Sequence, residues 1–400
     1  MVLTLIRKFF FLLLTFFISL TAIGQPDSCH LRISLLTCST GEELYSTFGH
    51  SALRVTDSVS KEDIVFNYGT FDFSEPGFYT KFIRGNLSFY LSTEDFNDFT
   101  KEFQEAHRSM TEQLLNLSCT EKNKIFRLLQ INLQGYNKFY KYDFVTNNCT
   151  TRLRDLLENA ADSNVHFPAA SPNATVRTGL HKYLNQNDEQ WTKLGMDILL
   201  GSRTDVIMHS KLSMFLPDYL LSSFDGTTID DRPLVLSKSD LYPVAKPGIS
   251  HEWLTSPAFI FSLLLVLMLV PAFTKNSALQ KIVWRIDGLL FFITGITGFM
   301  ILFMWFGSSY KMCSDNYNII WALPTHTVAA FYMYSKKNFI RIYFKITMII
   351  NILLLCAWLL LPQHLPVVLI PFIVLLIYRS AVHGYGLSIL QDGKSKKYFI

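Results

Sequence analysis

Two short strings in this sequence hold residue types that together can carry thiol chemistry. In STFGHSALRV a histidine, His50, stands directly before a run of β-formers; in YDFVTNNCTTRLRDLLE a cysteine, Cys149, opens a run with helical periodicity. A helix N-terminus carries partial positive charge and free amide groups, which favour a reactive thiolate and can hold a developing oxyanion. A histidine on a neighbouring strand supplies the base. A hairpin turn around Ser58 to Asp63 places His50 across from Asn67 to Gly69. A side chain there can orient the imidazole. Asn67 is the first choice, because its amide oxygen accepts from a ring nitrogen, and Asp72 is the reserve. Tyr45, shortly before His50, either donates to the oxyanion or simply packs.

The same residues have blander uses. Cys29, Cys38, Cys119 and Cys149 precede residue 250 and Cys313 follows in a short loop, so an oxidising compartment could pair them; four cysteines allow three connectivities. One histidine among ten is more often a hydrogen-bonded structural residue. Arg152 and Arg154 follow the thiol and meet either a phosphate or solvent and the acids Asp155 and Glu158. No CxxC or HExxH spacing occurs, so no metal site is expected.

The elements that must position these groups read as α+β. Leu31 to Thr37, Ser51 to Thr56 and Ile64 to Tyr68 are strand candidates. Helical periodicity covers Thr93 to Ser109, with Thr93 and Glu94 as its cap, then Thr120 to Asn132 and Cys149 to Ala160. The stretch from Trp191 to Leu220 is apolar enough to lie on a bilayer or to form a second core layer. Pro233 to Gly248 has three prolines and no clear periodicity, which reads as a linker. There is no internal repeat and no glycine-rich phosphate loop.

Composition sets the compartment. Of the 400 residues 50% are hydrophobic and only 17% charged, so a disordered chain and a simple soluble enzyme are both excluded. The net charge of +4 is uneven: residues 251–400 hold 12 of the 36 Lys+Arg and 4 of the 32 Asp+Glu, leaving 24 and 28 before them. A basic tail after a mildly acidic first part fits membrane topology and not nucleic-acid binding. Arg7 and Lys8 precede the apolar run Phe9 to Leu20 and small residues at Ala22 and Gly24, so residues 1–24 read as a cleavable export signal. Residues 25–250 then form an exported domain with its linker, and residues 251–400 a membrane domain. Apolar runs at Pro257–Phe273, Gly288–Phe306, Ile319–Tyr334, Tyr343–Leu361 and Pro366–Val382 predict five transmembrane helices. Lys and Arg crowd one set of loops, with Lys311 alone on the other side, so the tail ends in the cytoplasm and the exported domain faces outward. At or within the third run, Asn316, Asn318, Trp321 and His326 are either functional or anchoring.

The strings EELYSTFGHSALRV, NYGTFDF, FIRGNLSFYL and YDFVTNNCTTRLRDLL, followed by five apolar runs with NIIWALP in the third, resemble the Lnb-type lipoprotein N-acyltransferases of Bacteroidetes. The order of histidine before a strand and cysteine at a helix start is also similar to the circularly permuted papain-like thiol fold of lecithin:retinol acyltransferase relatives. Those relatives use a histidine as third member, which neither Asn67 nor Asp72 is. The resemblance implies a membrane phospholipid as acyl donor, the amine of a lipidated N-terminal cysteine as acceptor, and no cofactor. It implies Cys149 as nucleophile, His50 as base, and the backbone amides of Cys149 and Asn148 at the oxyanion. It also implies a multi-pass protein of the bacterial inner membrane with its catalytic domain in the periplasm. Two other readings stand beside it: a membrane-tethered envelope thiol peptidase or amidase that passes the acyl group to water, and a non-enzymatic envelope binding or sensor protein with Cys149 in a disulfide.

Overall fold

The structure, a computed structural model, describes residues 29–161, 165–243, 253–273, 277–335 and 337–386. The expected export signal at residues 1–24 lies outside these, as does the end of the expected linker. Leu31–Cys38 (β1), His50–Asp57 (β2), Asp63–Thr70 (β3), the short helix Phe78–Ile83 (α1) and Ser88–Asp95 (β4) come first. Phe96–Glu105 (α2), Met110–Leu115 (β5), Cys119–Asn132 (α3), Phe139–Lys141 (β6) and Cys149–Ala160 (α4) follow. A smaller layer contains Val165–His166 (β7), Val176–Gln186 (α5), Gln190–Leu199 (α6), Ser210–Ser213 (α7), Pro217–Asp225 (α8), Thr228–Ile229 (β8) and Arg232–Pro233 (β9). Val235–Tyr242 (β10) returns to the main sheet.

That sheet has seven antiparallel strands in the order β10-β5-β1-β2-β3-β4-β6. β1 lies near its centre and every residue of LRISLLTC except Arg32 is buried, on both faces of the sheet. Ile33 and Leu35 face α3, α4 and α8, while Leu36 and Cys38 join Ala52, Val65, Phe99 and Phe103 under α2. The α+β reading of the exported region holds, with two local differences. Thr93 and Glu94 belong to β4, and the cap of α2 is Asp95, whose carboxylate accepts from the Asn97 amide. The stretch expected to be a linker contains β10, an edge strand whose side chains mostly face water. Its ladder to β5 holds it there, so hydrophobic alternation had nothing to reveal.

The membrane part contains Pro257–Leu269 (α9), Ser277–Phe306 (α10), Thr325–Tyr332 (α11), Asn338–Cys356 (α12) and Ile370–Tyr385 (α13). Among the described residues three helices are long and apolar enough to cross a bilayer, at Ala278–Phe306, Asn338–Cys356 and Val367–Tyr385; Pro257–Phe273 is a shorter apolar one. The third apolar run is not one continuous helix. A tight turn at Tyr317–Ile320 leads through Trp321 to Pro324, and α11 begins only after it. Proline has no N–H and obstructs the preceding turn, so WALP interrupts the helix.

The two parts are joined by backbone contacts. Gly201 N donates to Met312 O at 2.8 Å and Ser202 N to Asp315 O at 3.1 Å. Gln363 Nε2 donates to Leu200 O and Asn318 Nδ2 to Asp197 O, both at 2.9 Å. Beneath them the buried Arg177 pairs with Asp197 and Asp205, and Asp205 also accepts from the His364 backbone amide.

Candidate active site

α4 begins at a fixed point because its cap is fully satisfied. The Asn148 side chain accepts from Thr151 N at 3.0 Å, and the Thr151 hydroxyl accepts from Asn148 N at 2.8 Å. The same amide group donates to Phe144 O and Phe215 O, at 2.9 and 2.8 Å. These bonds overturn one expectation. Both the backbone N–H and the side chain of Asn148 are committed to holding the helix start, so Asn148 has no donor left for an oxyanion.

Cys149 is a free thiol at the first position of that helix. Burial pushes its pKa up, while the backbone N–H groups of Ser51, Thr150 and Cys149 itself, directed at the sulfur, pull it down. Burial wins. The thiol pKa is raised above its ordinary value, so burial outweighs the favour that the helix terminus gives the thiolate. His50 opens β2, and Gly49 before it has φ +76°, with Cys38 O where a side chain would sit. Only glycine makes that turn without strain.

The β2–β3 hairpin turns after Asp57 and pairs Leu53 with Phe66 and Thr56 with Asp63, which carries His50 toward the end of β3. There His50 Nε2 lies 2.7 Å from Asn67 Oδ1. The amide oxygen accepts, so Nε2 bears the hydrogen and Nδ1 keeps a lone pair. Burial lowers the His50 pKa to about 4, against the opposing hydrogen bond to Asn67. The imidazole is therefore neutral and able to accept a proton near neutral pH. Gly69 stands between the two groups: a Cβ there would lie 3.8 Å from both Cys149 Cβ and His50 Cε1. A thiol, a neutral base, an orienting amide and a set of backbone donors thus lie together around Gly69, an arrangement suited to forming and breaking an acyl thioester.

The remaining candidates lie elsewhere. Asp72 is exposed and accepts from the amide and hydroxyl of Ser74, which hold its carboxyl below the usual range, so it serves its own turn and does not reach His50. Tyr45 is 66% exposed and packs edge-on against Phe71 and Phe73. Arg154 pairs with Asp155, whereas Arg152 lies 4.1 Å over the Tyr140 ring and donates to Asn147. In the membrane part Asn316 and Asn318 bind the Ile198 and Asp197 carbonyls, and His326 accepts from Tyr343 on α12 at 2.6 Å. Sequence reasoning missed the Ser51 and Thr150 amides, because backbone donors leave no residue signature. It also missed Tyr140 and Tyr142, whose phenols burial raises first and the nearby Cys149 second. Among the described residues no group of three His, Cys, Asp or Glu could hold a metal ion.

The loop before the thiol meets the loop that follows α10. Phe144, five residues before the thiol, packs 5.8 Å from Tyr310, just beyond the end of α10. Residues 21–182 match the Lnb N-terminal periplasmic domain and residues 249–388 match the Lnb transmembrane domain. The chain belongs to the Lnb family. As an Lnb protein it is a membrane protein with a periplasmic domain, and the loop carrying Tyr310 is on the periplasmic side because it contacts that domain. No curated protein and no solved structure matches this Lnb chain.

Proposed function

We propose that this Lnb protein transfers a fatty acyl chain from a membrane phospholipid, through a thioester on Cys149, to the N-terminal amine of diacylglyceryl-cysteine lipoproteins. The reaction takes place at the periplasmic face of the inner membrane. Sγ attacks the ester carbonyl as His50 Nδ1 takes its proton, and the Ser51, Cys149 and Thr150 amides lie where the oxyanion develops. Collapse expels the lysophospholipid alkoxide, which the imidazolium protonates. The lipoprotein amine then attacks the thioester, His50 removes the amine proton, and the sulfur leaves and regains a proton. Asn67 positions the imidazole and touches no reacting atom. We read the antiparallel sheet with the thiol helix against it as a permuted papain-like core, and the five apolar segments as five crossings.

The observation that carries this reading is the clamp between Phe144 and Tyr310, which holds the loop before Cys149 against the periplasmic end of a membrane helix. Donor and acceptor are both anchored at that level, so one fixed thiol can meet each in turn. A peptidase or amidase using the same pair needs no such depth, and a disulfide-bearing sensor does not fit a Cys149 that is free.

The test is the mass of a lipoprotein's N-terminal lipopeptide from bacteria lacking their own N-acyltransferase. Expression of the protein should add one fatty acyl group, and Cys149→Ala should lower that transfer by ~10³-fold or more. A lipopeptide left diacylated by well-expressed protein rejects the acceptor; an acyl group added by Cys149→Ala rejects the nucleophile.

A further inference from the structure

The aromatic segment between β3 and β4 is tied to the membrane at one end and to the active site at the other. α1 buries none of its residues, and Phe73 and Tyr79 are 61% and 74% exposed. Large apolar side chains clustered on a surface mark a partner. The depth of this cluster is fixed: Tyr310 donates its hydroxyl to Phe82 O at 2.7 Å, Ser309 N donates to Arg84 O at 2.9 Å, and the Phe82 and Tyr310 rings lie 6.5 Å apart. Tyr310 follows Trp305 and the 74% exposed Phe306 at the periplasmic end of α10, a position where aromatic side chains mark the boundary between headgroups and hydrocarbon. The cluster is therefore continuous with the lipid-facing surface of a membrane-spanning helix. Its other end leads inward. Phe71 contacts Phe73 at 4.8 Å, Phe78 at 5.8 Å and Phe89 at 5.2 Å, and it packs on the same core as Cys149. It is two residues from Gly69, beside the thiol and the imidazole.

We propose that Phe71–Ile83 is a lip that inserts into the periplasmic leaflet and guides the acyl chain of the phospholipid donor along its aromatic face to Cys149. The exposed Arg84 at its end stands at headgroup depth, where a cation complements phosphate. The donor route rests on the acyl-transfer reading; the insertion itself does not.

The experiment places the photoreactive residue p-benzoylphenylalanine at Phe73, at Tyr79 or at Val59, in full-length protein reconstituted into phosphatidylethanolamine and phosphatidylglycerol nanodiscs. Val59 is 75% exposed in the turn at the opposite end of β2 from His50, and serves as the reference. Mass spectrometry should find phospholipid adducts at positions 73 and 79, on the order of tenfold above position 59. Phe73→Asp with Tyr79→Asp should slow acylation of Cys149 by vesicle phospholipid by on the order of tenfold, read as intact thioester mass. Adducts at 73 and 79 no more abundant than at 59, in protein whose Cys149 still acquires an acyl group, overturn the lip and leave the acyl-transfer reading in place. Abundant adducts at 73 and 79, together with wild-type protein that never acylates Cys149 in the same nanodiscs, overturn the donor route together with the acyl-transfer reading.

Discussion

At the periplasmic site a half-buried imidazole has, among the described residues, one side-chain hydrogen bond, to Asn67, and the thiol beside it is met by backbone amides. In the membrane bundle the opposite holds: Asp287 of α10 is fully buried, yet Arg379 of α13 clasps both its oxygens at 2.7 and 2.6 Å and His383 reaches it at 2.8 Å. The bundle neutralises its charge with a full complement of partners, and so fixes one helix against another. The periplasmic pocket keeps its ionisable groups neutral by burial and leaves a lone pair and an S–H unspent. Complete pairing makes a joint, and incomplete pairing makes a reagent.

That contrast can be broken most severely in the bundle. Asp287→Asn leaves the Arg379 guanidinium buried without its counter-charge, and should cost about 3–5 kcal/mol, seen as a lower unfolding midpoint in detergent. Replacing Asp287 and Arg379 together with leucine should recover most of the loss; if the double variant is as unstable as the single one, the charge pair is not what matters. At the periplasmic site the larger effect falls on rate. Asn67→Ala removes the acceptor that orients His50 and should slow acylation of Cys149 by about 10²-fold, with little change in the unfolding midpoint. A matching fall in stability would make Asn67 a packing residue instead.

The pH profile sharpens the same point. His50 binds its proton in the folded protein only as pH falls through about 4, far below the ordinary value of 6.5, so the neutral base persists over roughly pH 5 to 8 and the acylation rate should be flat there. The unfolded chain protonates this histidine first, so folding stability should decline as pH drops from 6.5 toward 4. An acid limb of the rate centred near 6.5 contradicts the burial of the imidazole. The smallest effect is expected at Asp72, whose substitution by alanine should leave the acylation rate within about twofold, because its carboxylate serves only its own turn.

Much of the site could be read from residue types. His50 before a strand, Cys149 at a helix start and Asn67 across a hairpin are local matters of periodicity and turn position, and the structure brings the three together. Asn148 shows the limit: a backbone amide that looks available beside a thiol is taken up by the Thr151 hydroxyl, which accepts from it at 2.8 Å to close the cap. The edge strand β10 and the short α1 lack apolar periodicity, since one is held by a backbone ladder and the other buries nothing. The break at WALP was written in Pro324, yet hydropathy averages over a single proline.

The contact between Gly201 and the loop after α10 has a kinetic meaning. A side chain at Gly201 would collide with the Ser314 carbonyl, so the two backbones touch with nothing compressible between them. For the acyl transfer proposed above, a joint of that kind gives no lever arm to move the thiol relative to the membrane helices. Under that proposal, encounter with an anchored substrate is a planar search. What governs its frequency is the fraction of leaflet molecules that are substrate, so inert lipid slows turnover as surely as removing enzyme, while enlarging the aqueous volume around the membrane changes nothing.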